Sequence, residues 1–277
     1  MLFALDEVTV SYANFRPVLD HVSISINENE FIGITGVSGS GKTTLLETLS
    51  GLHKPASGTV LFRGEDIYRK GFDTVSFRRK LQTVFQFPEN LFFETDVRNE
   101  TAFGPKMLKY PETEIALRVD QALLMTGLSD KKIMEKSPFA LSGGQKRRLA
   151  LACALAISPE VLLLDEPFSG LDAEGYAKLS ASLNHLRKKG MTILMVSHDP
   201  DLLYELADRV IVISEGRIVM NGTPLSVFGD KERCRKYGIA RPGIVETAES
   251  VGLPAEKYNN YANFIANLST MIMENRS

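Results

Sequence analysis

The octapeptide Gly36-Val37-Ser38-Gly39-Ser40-Gly41-Lys42-Thr43 has the residue types and spacing to hold a chain of phosphates. Glycines let consecutive backbone N–H groups converge on a curved anion, and a helix starting directly after them adds partial positive charge. Lys42 would reach the outer phosphates, and the Thr43 hydroxyl would contact magnesium. A second set of reactive side chains lies far downstream. Asp165 and Glu166 end the apolar run Val161 to Leu164, and His198 follows another run, Met191 to Val196. Asp165, in line with a strand, suits a direct or water-mediated magnesium contact. Glu166, one residue on, faces elsewhere and could polarise an attacking water. His198 could contact the outer phosphate or that water. In isolation two acids at a strand end are solvated charge and a lone histidine is a packed or surface residue. Beside a phosphate loop they form a hydrolytic set for a nucleoside triphosphate.

A second unusual stretch is Leu141-Ser142-Gly143-Gly144-Gln145. Ser142 and Gln145 have the spacing of a capping box, which accounts for both of them at the start of a helix. It does not account for two adjacent glycines, each costing ~1 kcal/mol against alanine in a helical turn. A surface that must approach another backbone or an anion would justify them. The chain thus offers two helix N-termini suited to phosphate and one phosphate loop. Tyr12 follows the first strand, where its ring would either stack on a nucleotide base or simply close the strand. Gln86 stands where an apolar segment breaks into Phe87-Pro88-Glu89-Asn90.

These residues need elements to position them, and the hydrophobic periods supply a set. Leu5 to Tyr12 and Val18 to Ile26 alternate like half-exposed strands, and Phe31 to Ile34 leads into the phosphate loop and a helix through Leu49. Gly58 to Phe62 and Leu81 to Phe85 are further short strands. From Asp96 to Gly127 the period becomes helical, with Ile115, Val119, Ala122, Leu123 and Met125 on one face. This predicts a helical subdomain inserted in a sheet, completed by a helix that opens at Ser142 and runs through Arg148, Leu151, Leu155 and Ala156 to Ser158-Pro159. The runs ending at Asp165 and Val196 read as buried parallel strands, whose carboxyl ends are where open α/β sheets bind ligands. Ser169-Gly170-Leu171-Asp172 turns the chain into a helix from Ala173 to Lys189, stopped by Gly190.

Composition narrows the function. A chain of 277 residues with a net charge of −2 allows one large α/β domain, or one domain with a smaller appendage, and gives no general pull toward nucleic acid. Cys153 and Cys234 have no ligand-like neighbours, so neither a disulfide framework nor a zinc site is expected. No run of about 18 apolar residues exists, and acid appears too early, at Asp6 and Glu7, for a signal peptide. The chain is expected to stay in the cytoplasm and to meet a membrane only through another protein.

Taken in order, the phosphate loop, a glutamine after a strand, LSGGQ, an aspartate-glutamate strand end, SGLD and a histidine resemble the ATP-binding-cassette ATPases over roughly residues 3–228. LSGGQ, at Leu141 to Gln145, is the most diagnostic. The resemblance implies a P-loop NTPase cassette of α/β class, with a mostly parallel core sheet, an antiparallel β layer, an inserted helical subdomain at about 90–158 and a small helical C-terminal extension. It implies ATP and Mg2+ as ligands, with Tyr12 on the adenine and Gly36 through Thr44 around the phosphates. Thr43, Gln86 and Asp165 would attend the magnesium, Glu166 would activate water, and His198 would hold the outer phosphate. Two cassettes would pack head to tail, so that Ser142 and Gly144 of one face the ATP held by the other. Ser169, Gly170, Leu171 and Asp172 would form a loop at that interface.

A narrower resemblance rests on Phe85-Gln86-Phe87-Pro88-Glu89-Asn90, Ala102-Phe103-Gly104-Pro105, Lys146-Arg147-Arg148 and the tail from Arg241 to Pro254. These are similar to the ATPase subunits of energy-coupling-factor importers for vitamins or transition-metal ions. Leu91, Phe168 and Ala173 depart from that group's usual glutamine, threonine and proline. The implied partners are a second ATPase, identical or not, an integral membrane coupling subunit and through it a substrate-binding membrane subunit, at the cytoplasmic face of a prokaryotic cell membrane. The competing readings are the ATPase subunit of another importer of the cassette family, which the Phe87-Pro88-Glu89-Asn90 and Ala102-Phe103-Gly104-Pro105 stretches disfavour, and a soluble nucleic-acid-acting ATPase, a class whose members commonly fuse two cassettes or carry coiled-coil inserts. Residues 1–240 are read as the cassette and 241–277 as a dimerisation extension. There Tyr261, Phe264, Ile265, Leu268 and Ile272 share one helical face, predicted to pack on a partner tail or on the cassette body.

Overall fold

The computed structural model describes residues 1–12, 16–258 and 260–274, with side chains through residue 271. Strands β1 (Phe3–Val10), β2 (Leu19–Ile26) and β3 (Phe31–Thr35) lead to helix α1 (Lys42–Leu49). Then come β4 (Ser57–Phe62), β5 (Glu65–Asp66), α2 (Thr74–Lys80) and β6 (Leu81–Val84). The helices α3 (Val97–Met107), α4 (Glu112–Met125), α5 (Lys131–Met134) and α6 (Gly143–Ala156) separate β6 from β7 (Val161–Asp165). The chain continues through α7 (Ala173–Lys188), β8 (Thr192–Val196), α8 (Pro200–Leu206), β9 (Arg209–Ser214) and β10 (Arg217–Gly222). It closes with α9 (Pro224–Phe228), α10 (Lys231–Lys236), α11 (Gly243–Ser250) and α12 (Tyr261–Glu274).

Two sheets result, a four-stranded antiparallel one in the order β2-β1-β4-β5 and a six-stranded one in the order β10-β9-β3-β8-β7-β6. The second is parallel except for β10, which runs antiparallel to β9. Its central strands β3, β7 and β8 are buried at every position, as their unbroken apolar runs require. Side chains alternate between two cores. Leu163 and Leu194 join α1 and the antiparallel sheet through Leu45, Leu49 and Phe3. Leu162, Leu164 and Met195 face the other way, onto α6 and α7 through Leu151, Leu179 and Leu183. Helix α1 is therefore clamped between two sheets, and truncating Leu163 to alanine would cost about 2–5 kcal/mol.

The expected α/β architecture holds, with revised boundaries. β1 spans Phe3–Val10, not Leu5 to Tyr12, because the Val18 N–H donates to the Val10 carbonyl at 2.7 Å and turns the chain toward β2. The helical stretch from Asp96 is two helices, broken where Lys109 takes φ +58° and Pro111 caps α4. The β9–β10 hairpin was not anticipated, although the run Val210 to Ile213 before Glu215-Gly216 carries a strand-and-turn signal.

At the C-terminus, Ile244, Val245, Ala248 and Tyr258 belong to the same buried cluster as Leu203 and Phe228. Asp201 of α8 accepts from the Gly243 N–H at 2.8 Å and from the Tyr261 hydroxyl at 2.6 Å. Tyr261 and Phe264 pack against the cassette core, whereas Ile265, expected on the same face, is 61% exposed. The Ile272 side chain lies outside the described residues.

Candidate active site

The chemistry-bearing segments leave the carboxyl ends of neighbouring parallel strands: the phosphate loop after β3, Gln86 after β6, Asp165 and Glu166 at the end of β7, and His198 after β8. Two glycines set the loop. At Gly36 φ is +149° and a Cβ would lie 2.1 Å from the Ile213 carbonyl oxygen; at Gly41 φ is +108° and a Cβ would lie 2.6 Å from that of Val18. No side chain caps α1, so its first N–H groups are free to meet an anion.

A cleft of about 220 Å3 gathers Ser38, Gly39 and Gly41 of the loop, Lys42, Thr43 and Thr44 of α1, and Gln86, Asp165, Glu166 and His198. The Lys42 ammonium is buried and donates to the Gly36 and Val37 carbonyls, each at 2.8 Å. Burial lowers its pKa, opposed by Glu166 and Asp165. The Thr43 hydroxyl donates to Asp165 Oδ2 at 2.8 Å. Burial raises the Asp165 carboxyl, with Thr43 and Lys42 opposing. Among the described residues, the buried Ser40 Oγ and Glu166 Oε1 have no hydrogen-bond partner. Val37 is exposed at the loop's outer side.

Glu166 takes φ +50°, a strained backbone setting for a non-glycine residue, while its N–H donates to the Val196 carbonyl at 3.1 Å. His198 Nε2 stands 3.5 Å from Glu166 Oε1, too long for a firm hydrogen bond. Burial and then the Asp165 charge push the Glu166 carboxyl up to about 7, the range of a general base working near neutrality. Burial and Lys42 hold His198 below the usual histidine value.

The signature stretch lines a different cleft, of about 410 Å3, in which Ser142, Gly143, Gly144 and Gln145 face Gly170 and Asp172. The two clefts share no lining residue. Leu141 is buried beneath the turn. The capping box is formed: Ser142 Oγ accepts from the Gln145 N–H at 3.3 Å, and Gln145 Oε1 accepts from the Ser142 N–H at 3.0 Å. A Cβ at Gly143 would meet nothing within 4 Å, so packing within the chain does not demand a glycine there. At Gly144 a Cβ would stand 3.3 Å from Leu171 Cδ2. Ser169 and Gly170 are exposed, and Asp172 caps α7 through the Gly175 N–H at 2.7 Å.

Tyr12 stands outside the phosphate cleft, its hydroxyl within 3.4 Å of Thr44 Oγ1. Sequence reasoning missed Val18, which closes the cleft beside Gly41, because only tertiary contact brings it there. It also missed Arg148, buried in the second cleft with Nε unpartnered among the described residues, although the run Lys146-Arg147-Arg148 carried a signal. In a hollow at the opposite end of the strands Arg63 pairs with Glu28 at 2.9 Å and Glu160 at 2.6 Å.

Residues 19–169 match the ABC transporter family. The energy-coupling factor transporter ATP-binding protein EcfA2 of Clostridium tetani is 38% identical over 256 residues, covering 91% of this chain and 89% of that protein. EcfA2 of Caldanaerobacter subterraneus subsp. tengcongensis is 41% identical over 234 residues, covering 84% and 82%. Among solved structures, cbiO1 from Clostridium perfringens, part of the ABC transporter complex cbiONQ, superposes with a TM-score of 0.75 at 35% identity, over 90% of this chain and 98% of that one. A dimeric ATP-binding cassette, MJ0796, bound to ADP and Pi in a post-hydrolysis state, gives a TM-score of 0.73 at 30% identity, over 80% and 99%.

Proposed function

The chain belongs to the ABC transporter family and, within it, to the energy-coupling factor ATP-binding proteins, and on that premise we propose how its two clefts divide the work. It is an ATPase that energises an importer of the energy-coupling-factor type. The phosphate cleft of one cassette and the signature cleft of a second cassette, packed head to tail, enclose each ATP. The observation that carries this reading is the separation of the two anion-suited helix starts into clefts with no common residue, together with a glycine at position 143 that the chain's own packing does not require.

The donors around Thr43 fit magnesium. A hydroxyl and a carboxylate in contact, with the Gln86 amide in the same cleft, are hard oxygen ligands. Magnesium takes only one or two carboxylates beside the substrate's phosphates. Thr43, Asp165 and Gln86 would hold the ion, which would supply positive charge against the negative charge that develops on the phosphates. Lys42 leaves the Gly36 and Val37 carbonyls for the outer phosphates, Glu166 in its charged form takes the proton of the attacking water, and His198 holds the outer phosphate in line.

The membrane partner docks beside the Gln86 loop. Phe87, Leu91 and Phe93 are each more than half exposed there, an apolar surface of the kind used in interactions. The buried Glu100 carboxylate fixes that loop by accepting from the Phe93 and Glu94 N–H groups at 3.0 and 2.8 Å. No helix among the described residues is long and apolar enough to cross a membrane, so association with the cytoplasmic face runs through this partner. α12, with Ile265 outward, helps hold two cassettes together, and residues 241–277 act as a dimerisation extension. Purification from membranes tests the assembly: a co-purifying integral membrane subunit supports it, and nucleic acid in its place reverses it.

A further inference from the structure

Tyr12 is held by Glu47 and His53, which line neither the phosphate cleft nor the signature cleft. Its hydroxyl donates to Glu47 Oε2 at 3.1 Å and lies within 3.4 Å of Thr44 Oγ1. Its ring rests on the His53 imidazole with centroids 4.6 Å apart and planes inclined by 54°. His53 is itself fixed at the end of α1: its N–H donates to the Glu47 carbonyl at 3.2 Å, and its own carbonyl accepts from the Tyr68 hydroxyl at 2.5 Å. Tyr12 nevertheless remains 41% exposed, so the ring keeps free surface. Thr44 belongs both to this contact and to the phosphate cleft, which puts the ring at the cleft's rim.

A tyrosine on a surface loop would by itself sample several rotamers, and each ligand-binding event would have to restrict them. Here a hydrogen bond to a carboxylate restrains one end of the side chain and a tilted ring contact braces it. We propose that Glu47 and His53 are positioning residues that pre-organise Tyr12 as a platform for the nucleobase of a nucleoside triphosphate. This rests on the reading that Tyr12 stacks on that base. The platform works through ring stacking and offers no hydrogen-bond readout of the base edge, so it serves a purine triphosphate of either kind.

Calorimetric titration of the full chain with Mg-ATP, Mg-GTP and inorganic tripolyphosphate separates the two layers. Glu47→Ala and His53→Ala should each weaken ATP and GTP about 3- to 10-fold and leave tripolyphosphate unchanged, while His53→Phe, which restores a ring, should recover affinity. Loss of tripolyphosphate affinity in step with ATP would mean that the substitutions merely disturb α1, and would overturn the proposal. If Tyr12→Ala weakens ATP but Glu47→Ala and His53→Ala do not, the platform stands and the tether is wrong. If Tyr12→Ala has no effect on ATP, the stacking reading fails and takes the tether with it.

Discussion

The Thr43 hydroxyl and Asp165 Oδ2, 122 positions apart in sequence, meet in a 2.8 Å hydrogen bond that joins the first turn of α1 to the end of β7. Two segments with separate sequence signals thereby meet at the place proposed above for magnesium. Thr43→Val keeps the shape and removes the donor. It should weaken the apparent Mg2+ affinity of ATP hydrolysis about 10-fold or more and destabilise the ligand-free fold by about 1–3 kcal/mol, since a buried carboxylate loses its partner. A magnesium titration with unchanged midpoint would remove Thr43 from the site.

Glu166→Gln should retain ATP binding while turnover falls at least ~100-fold. In the unsubstituted protein kcat/KM should rise with pH through about 7, because the carboxylate must be charged to accept a proton. Phosphate release measured across this range checks both, and a flat profile would exclude Glu166 as the base.

The same carboxyl makes a stability prediction. Its pKa stands near 7 in the fold against 4.5 for a free glutamate, so between those values the folded state binds more protons than the unfolded one. Stability therefore falls as pH rises through that window. Above pH 7 ligand-free Glu166→Gln should be more stable than the parent by ~1–2 kcal/mol after allowance for solvent at the cleft mouth, or ~2–4 °C in Tm, and equal to it near pH 4.5. Thermal melts of both proteins across this range would show equal pH slopes if the assignment is wrong.

Half-sites should complement. Lys42→Ala removes the phosphate-side cation, and Gly143→Asp adds charge where the chain itself leaves open space, so each variant folds but loses turnover alone. A mixed dimer carrying one of each contains one whole site and should recover a fraction of the parent activity. No recovery in verified mixed dimers would count against head-to-tail pairing.

A chain ending before Tyr261 loses α12 but keeps Ile244, Val245 and Tyr258 in the core, so it should stay folded. It should shift toward monomer without ATP, read by light scattering, while an unchanged dimer would free α12 of that role.

Much of this protein was legible in its sequence because the decisive signals are local. The positive φ at Gly36 and Gly41 is a local signal, the apolar runs before Asp165 and His198 declare buried strands, and Ser142 with Gln145 forms its cap within one helical turn. Residue types at short spacing were enough, since each device is complete within a few residues.

Only the tertiary structure decided which devices share a cleft. The strand order of the parallel sheet puts Lys42, Gln86, Glu166 and His198 around one space and sends Ser142 to another. It also ties Tyr12 to Glu47 and His53 and turns Ile265 outward. Those outcomes depend on which helix faces pack on which strands, a long-range property that no window of sequence contains.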